Sequence, residues 1–175
     1  MQKTKIKEYT RAIAVIGIMS ALAAVCSGTF PMGLTIRVGD FVKLSPIFLL
    51  IGIVGNLYGM LGAVLVAFIG DLLQALFSGT GFSPYVSIAN VLIGACFGLI
   101  LYKTNSLLRI IISVLLTQIF GSLILTTMAL HLQYGIPYYP TIYWRMLQTA
   151  ILIAAEIPLL WLVLKKLNIP SKLSK

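Results

Sequence analysis

Long apolar runs separated by short polar or Gly- and Pro-containing turns extend over most of the chain. Most of these runs approach the roughly 20 apolar residues that a helix needs to cross a bilayer. The predicted helices cover residues 11–30, 43–56, 58–78, 84–103, 107–131 and 140–166. The second segment has only about 14 residues, which span some 21 Å, so a count of five stays open. The pattern predicts an all-α bundle of about six transmembrane helices in a single domain, residues 1–175.

Composition agrees with an integral membrane protein. Hydrophobic residues make up 59% of the chain and charged residues 10%, and the mean hydropathy is +1.03. A soluble domain of this size needs more polar surface. The first run is predicted to be a retained helix rather than a cleaved signal, because Val25 is too bulky to precede a lipoprotein-type cysteine at Cys26.

Basic residues are distributed unevenly over the predicted loops. With both termini in the cytoplasm, ten of the 13 Lys and Arg residues fall on the cytoplasmic side, and Arg37, Lys43 and Arg145 fall on the outer side. This asymmetry favours cytoplasmic termini, since Lys and Arg accumulate on cytoplasmic flanks. Contact with anionic lipid explains the net charge of +9, so no nucleic-acid partner is predicted.

Two residues of opposite charge are predicted at similar depth below the outer surface. Asp71 is the single acid in the apolar stretch 59–73, about two turns from the end of its predicted helix, and Arg145 lies about one and a half turns into the sixth. A carboxylate inside a bilayer costs at least a few kcal/mol, which makes Asp71 the first candidate for ligand contact. The alternative is an Asp71–Arg145 ion pair that only holds the bundle together.

Arg145, Gln148 and Glu156 share one face of the sixth helix, and we expect this stripe to point into the bundle. Glu156 lies about 16 Å deeper than Arg145 along the helix axis. Because Glu156 precedes Pro158 by two residues, the alternative is that it satisfies a polar neighbour or a helix kink.

The outer side holds further candidates. Arg37 and Asp40 belong to loop 31–43, which is interpreted as a lid over the bundle. Phe82 and Tyr85 flank the start of the fourth predicted helix, where aromatic side chains either stack on a planar ligand or form an ordinary interfacial belt. His131 has no second His or Cys cluster near it, so no metal site is predicted.

Small residues recur at four-residue spacing in the first helix, as Gly17 with Ala21 and as Ser20 with Ala24. Such spacing lets membrane helices approach closely, either within the bundle or on a separate membrane partner. The chain also lacks a P-loop, a Ser/His/Asp or Cys/His constellation and any cofactor motif. An ATP-driven process therefore needs other subunits, and no enzymatic activity or cofactor is predicted.

The segments LSPIFLLIG, LYGMLGA, FIGDLL and NVLIGACFGL, within residues 44–102, together resemble the substrate-binding S component of energy-coupling factor (ECF) vitamin transporters. The Gly-Asp-Leu-Leu of the third predicted helix, the turn at 81–84 and Arg145 are most similar to the folate branch. The resemblance implies a multi-pass protein of the bacterial plasma membrane that captures a vitamin from outside. It further implies a transmembrane coupling subunit and two cytoplasmic ATPases as partners.

The resemblance also implies roles for the candidate residues. In the family a small-residue face of the first helix, typically Ala-x-x-x-Ala, docks on the coupling subunit, and the nearest matches here are the Gly17/Ala21 and Ser20/Ala24 pairs. For folate, the carboxylate of Asp71 would accept hydrogen bonds from the amino group and ring N–H of the pterin, and the basic outer residues would bind the glutamate tail. The candidate ligand contacts are Asp71, Arg145, Arg37, Lys43, Gln148, Phe82 and Tyr85.

Three alternatives stay open on sequence alone. The ligand is another vitamin, such as pantothenate, thiamine or a queuosine precursor; the chain is a non-catalytic membrane scaffold that uses its small-residue faces for assembly; or it is a membrane-embedded enzyme that uses Asp71, Arg145 and Glu156.

Overall fold

The computed structural model describes residues 2–26, 36–38, 42–44, 46–78, 82–104, 106–135 and 138–167. The helices are α1 (Gln2–Cys26), α2 (Ile47–Ser78), α3 (Pro84–Leu101), α4 (Leu107–Leu116), α5 (Thr127–Tyr134) and α6 (Tyr138–Leu167). A π-helix, π1 (Thr117–Thr126), joins α4 to α5. Two short strands, β1 (Ile36–Val38) and β2 (Val42–Leu44), form an antiparallel pair. The described elements are otherwise helical.

Five helical stretches in the described residues are long and apolar enough to cross a membrane. They cover Tyr9–Cys26, Ile47–Phe77, Pro84–Leu101, Leu107–Leu132 and Thr141–Lys166. The predicted second and third segments thus share one long element, α2.

A break at Gly59 divides α2 into a first limb, residues 47–58, and a second limb, residues 60–78. Gly59 has φ 72° and ψ −156°, a backbone conformation that residues with a Cβ rarely adopt. A Cβ placed on Gly70 would lie 4.0 Å from Ile47 Cδ1, whereas a straight helix would separate these residues by about 35 Å. The two limbs therefore fold back on each other as a helical hairpin.

The observed boundaries correct one expectation and add one feature. Residues 43 and 44 were predicted to begin a helix, but they belong to β2, and α2 begins at Ile47. Pro46 explains the shift, because proline disfavours a helical conformation in the residue before it. The predicted fifth helix contains π1 in its middle, which the hydrophobic pattern did not indicate.

Glycines set the distance between α3 and α2. A Cβ on Gly98 would lie 2.5 Å from Met60 Cα, and one on Gly94 would lie 2.9 Å from the carbonyl oxygen of Ala63. The two backbones are in contact there, and the second limb of α2 runs antiparallel to α3. This packing brings Asp71 of α2 beside the first turns of α3.

Candidate functional site

A cavity of about 330 Å³ lies between both limbs of α2, α3, π1, α5 and α6. This volume falls in the range of small-molecule sites. Phe48, Ile93 and Phe97 are among the apolar residues of its wall. The polar side chains on the wall include Asp71, Asn90, Gln118, Arg145, Gln148 and Glu156. An apolar cavity with a few polar groups is typical of a binding site.

The wall formed by α2 and α3 holds Asp71 by hydrogen bonds from α3. Ser87 Oγ donates to Asp71 Oδ2, and Asn90 Nδ2 donates to Asp71 Oδ1 at 2.9 Å. Ser87 and Asn90 are three residues apart, so they share one face of the helix. Ser83 caps the start of α3, where its hydroxyl accepts a hydrogen bond from the Val86 N–H. Each oxygen of the Asp71 carboxylate thus has a protein partner.

The opposite wall, formed by π1 and α6, contains a buried Gln–Glu pair. Gln118 Nε2 donates a hydrogen bond to Glu156 Oε1, and the exposed fractions of the two side chains are 7% and 1%. The remaining oxygens, Gln118 Oε1 and Glu156 Oε2, are buried and have no hydrogen-bond partner in the described part of the chain. This wall thus retains unused acceptors.

The side chain of Arg145 on α6 hydrogen-bonds to the backbone of π1. Its Nη1 donates to the carbonyl oxygen of Ser122 at 3.0 Å. A π-helix bonds i to i+5 and often marks a functional site. Thr117, Gln118, Ser122 and Thr126 of π1 all face the cavity. Among the described residues Arg145 makes no ion pair, so the Asp71–Arg145 pair considered from the sequence does not form.

The sequence matches the model of a family described as "ECF transporter, substrate-specific component" over residues 11–165. The chain belongs to this family. None of the curated protein sequences matches the chain significantly.

Among solved structures, this S component is similar to the crystal structure of FolT bound with folic acid. The TM-score is 0.80 at 25% sequence identity, and the match covers 90% of this chain and 94% of the FolT chain. The family is a transporter component rather than an enzyme family, and its membership agrees with the multi-pass architecture.

Three of the predicted ligand-contact residues lie around one cavity of this S component. Asp71, Arg145 and Gln148 all lie on the cavity wall. Phe82 and Tyr85 lie outside the lining, with 45% and 51% of their surface exposed. Phe82 precedes α3 and Tyr85 lies in its first turn, and stacking of these rings on a ligand stays a prediction.

Arg37 and Lys43 belong to the hairpin of β1 and β2, where they are paired in register. Strand β2 lies beside α6. Asp40, the other charged residue of the predicted lid, lies outside the described residues.

The two small-residue pairs of α1 lie on different faces of the S component. Gly17 and Ala21 are exposed, and a Cβ on Gly17 would have no atom within 4 Å. Ser20 and Ala24 are buried, with exposed fractions of 1% and 3%, because this face of α1 packs on α2 near Gly70. Ser20 and Ala24 therefore serve internal packing, and the structure removes them from the predicted docking surface.

Sequence reasoning missed the partners of both carboxylates, namely Ser87 and Asn90 for Asp71, and Gln118 for Glu156. A signal was present, since a polar residue inside a predicted membrane helix suggests a functional site.

Among the described residues, no three His, Cys, Asp or Glu side chains come together as a metal site would require.

Proposed function

We propose that this S component captures folate from the outer side of the cell membrane for ATP-driven uptake. The observation that supports folate most directly is the likeness to FolT bound with folic acid over 90% of the chain. The family supplies the transport role, and the cavity supplies a place for the ligand.

The polar groups of the cavity suit the two ends of folate. One end is a flat pterin with an amino group beside a ring N–H, and the other is an anionic glutamate. Arg145 is a cation without an ion pair among the described residues, which suits a carboxylate. Asp71, Gln118 and Glu156 offer acceptor oxygens for N–H donors, and Phe48 and Phe97 offer an apolar surface for the ring.

Arg37 and Lys43 remain proposed contacts of the glutamate tail. Two backbone observations support this proposal: Arg37 and Lys43 are paired in register in the hairpin, and strand β2 contacts α6. Both residues are cationic, which suits an anionic tail.

We further propose six membrane-crossing segments with both termini in the cytoplasm. The α2 hairpin supplies two of the six, because its limbs run antiparallel. The first limb spans only about 18 Å and the second about 28 Å, so the first depends on neighbouring helices for cover. Lys103 follows α3 and Lys165 and Lys166 end α6, in accord with cytoplasmic ends.

The proposed partners are a transmembrane coupling subunit and two cytoplasmic ATPases, as the family implies. The exposed Gly17 and Ala21 of α1 form the proposed docking surface, since small residues allow a partner helix to approach closely.

The test is calorimetric titration of the detergent-purified protein with folate, after ultraviolet absorbance has been used to detect co-purified ligand. Pantothenate and thiamine are the controls. We expect saturable folate binding and no binding of the controls. Binding of a control without folate would keep the S component and change its vitamin, whereas folded protein that binds none of them would contradict vitamin capture by this cavity.

A further inference from the structure

Gln118 and Glu156, named here the deep pair, combine two features. Both side chains are more than nine-tenths buried, and both line the cavity. Their single mutual hydrogen bond uses one oxygen of Glu156 and the amide nitrogen of Gln118. One acceptor oxygen of each side chain, Gln118 Oε1 and Glu156 Oε2, thus has no partner among the described residues.

Packing alone does not account for this arrangement. A buried acceptor without a partner is unfavourable, and an acid inside a membrane is more so. If the pair served only to link π1 to α6, apolar residues of similar volume would do so at lower cost. Two unpartnered acceptors on side chains that hydrogen-bond to each other instead suit a ligand that offers more than one N–H donor.

Asp71 is less suited to this role. Both of its oxygens already accept a hydrogen bond from α3, whereas one oxygen of Glu156 has none in the described residues. A bound donor edge therefore relieves a larger desolvation cost at Glu156 than at Asp71.

We propose that the deep pair recognises the hydrogen-bond-donating edge of the ligand heterocycle, an amino group beside a ring N–H, through Glu156 Oε2 and Gln118 Oε1. The inference deepens the proposed function and rests on it, since the pterin of folate is such a heterocycle. Arg145 lies eleven residues before Glu156, about 16 Å higher along α6. The ligand thus enters with its heterocycle first, and its anionic end stays near Arg145 and the outer surface.

The test combines protein variants with ligand variants in calorimetric titrations of the full chain in detergent. The ligands are folate, an analogue in which a methyl group replaces the 2-amino group, and p-aminobenzoylglutamate, which lacks the pterin. The variants are Glu156→Gln and Gln118→Met. A Glu156→Gln side chain has an NH₂ donor in place of one carboxylate oxygen, so it loses the acceptor that faces either Gln118 or the ligand.

For the wild type we expect the methyl analogue to bind about ten- to a hundredfold more weakly than folate, because a buried acceptor loses its donor. Glu156→Gln should weaken folate by a similar factor and should discriminate little between folate and the analogue. Gln118→Met should give a smaller loss with the same reduced discrimination. Binding of p-aminobenzoylglutamate should be the same in all three proteins. The effects of the protein change and of the ligand change are thus expected to be non-additive. Such non-additivity indicates direct contact, and a general loss of stability would not produce it.

Thr149→Val is the matched control. Thr149 is also on α6, is 5% exposed and has a buried hydroxyl without a partner among the described residues, but it lies outside the cavity lining. This variant should bind all three ligands as the wild type does.

Two results would overturn the inference in different ways. In the first, the wild type binds folate and both variants still discriminate fully against the methyl analogue. The deep pair then does not contact the heterocycle, but the proposal of folate capture is unaffected. If the folded wild type binds neither folate nor the fragment, the proposed function fails, and the assignment of the deep pair fails with it.

Discussion

The two walls of the cavity each carry a carboxylate, but they differ in how the surrounding protein satisfies it. On the α2–α3 wall, both oxygens of Asp71 accept hydrogen bonds from α3, and glycines bring the two backbones into contact. On the π1–α6 wall, Glu156 has one protein partner, and Arg145 donates to a backbone carbonyl without an ion pair in the described residues.

The difference separates two uses of polar groups inside a membrane protein. Polar groups that are satisfied within the fold stabilise the contact between helices. Groups with unused hydrogen-bonding capacity are costly in the free protein, and a ligand that satisfies them gains affinity. We therefore expect changes on the α2–α3 wall to act mainly on stability and changes on the π1–α6 wall to act mainly on binding.

Arg145→Met should have the largest effect. Hydrogen bonds to charged groups contribute about 1.5–3 kcal/mol each, so loss of a carboxylate contact should weaken folate on the order of a hundredfold. The measurement is calorimetry with folate, and Lys166→Met is the control, since Lys166 is exposed at the far end of α6. Unchanged affinity in the Arg145 variant would assign Arg145 to the packing of π1 against α6.

Gly98→Ala tests the α2–α3 wall. The new Cβ would lie 2.5 Å from Met60 Cα, and such overpacking costs about 1–3 kcal/mol of unfolding free energy. Thermal unfolding in detergent should show a lower midpoint. Gly17→Ala is the matched control, because no atom lies within 4 Å of its Cβ position and no loss of stability is expected. Equal midpoints for the two variants would mean that α2 and α3 separate without cost.

Asp71→Asn should have a smaller effect on stability than Gly98→Ala. Its effect on folate affinity, set beside that of Glu156→Gln, compares the two walls directly. The asparagine keeps one acceptor oxygen, so it loses the hydrogen bond from either Ser87 or Asn90, at about 1.5 kcal/mol of unfolding free energy, the low end for a hydrogen bond to a charged group. We expect the melting temperature to fall and folate affinity to fall less than in Glu156→Gln.

A compensating double variant, Asp71→Asn with Asn90→Asp, reverses the polarity of the hydrogen bond between the two side chains and should restore part of the lost stability. If Asp71→Asn instead weakens folate as strongly as Glu156→Gln does, the comparison of the walls is wrong, and Asp71 becomes a direct contact of the pterin.

The polar stripe of α6 could be predicted from that helix alone. The stripe of Arg145, Gln148 and Glu156 follows from 3.6-residue periodicity, and all three line the cavity. The partners of each carboxylate could not be predicted, because Gln118 and Glu156 are 38 residues apart in sequence. Their contact depends on how π1 and α6 are rotated about their axes, and hydrophobic periodicity does not define that rotation closely enough.

By itself, the sequence determined the membrane class, the approximate helices, and the family and candidate charges, because apolar length, basic asymmetry and local motifs are properties of the chain in one dimension. Only the tertiary structure decided which face of α1 is buried, where α2 folds back and which carboxylate retains an unused oxygen. The buried face of α1 packs on α2 near Gly70, α2 folds back at Gly59, and the single partner of Glu156 comes from π1. Each arises where two helices meet, and an atom-scale fit between surfaces cannot be read from either helix alone.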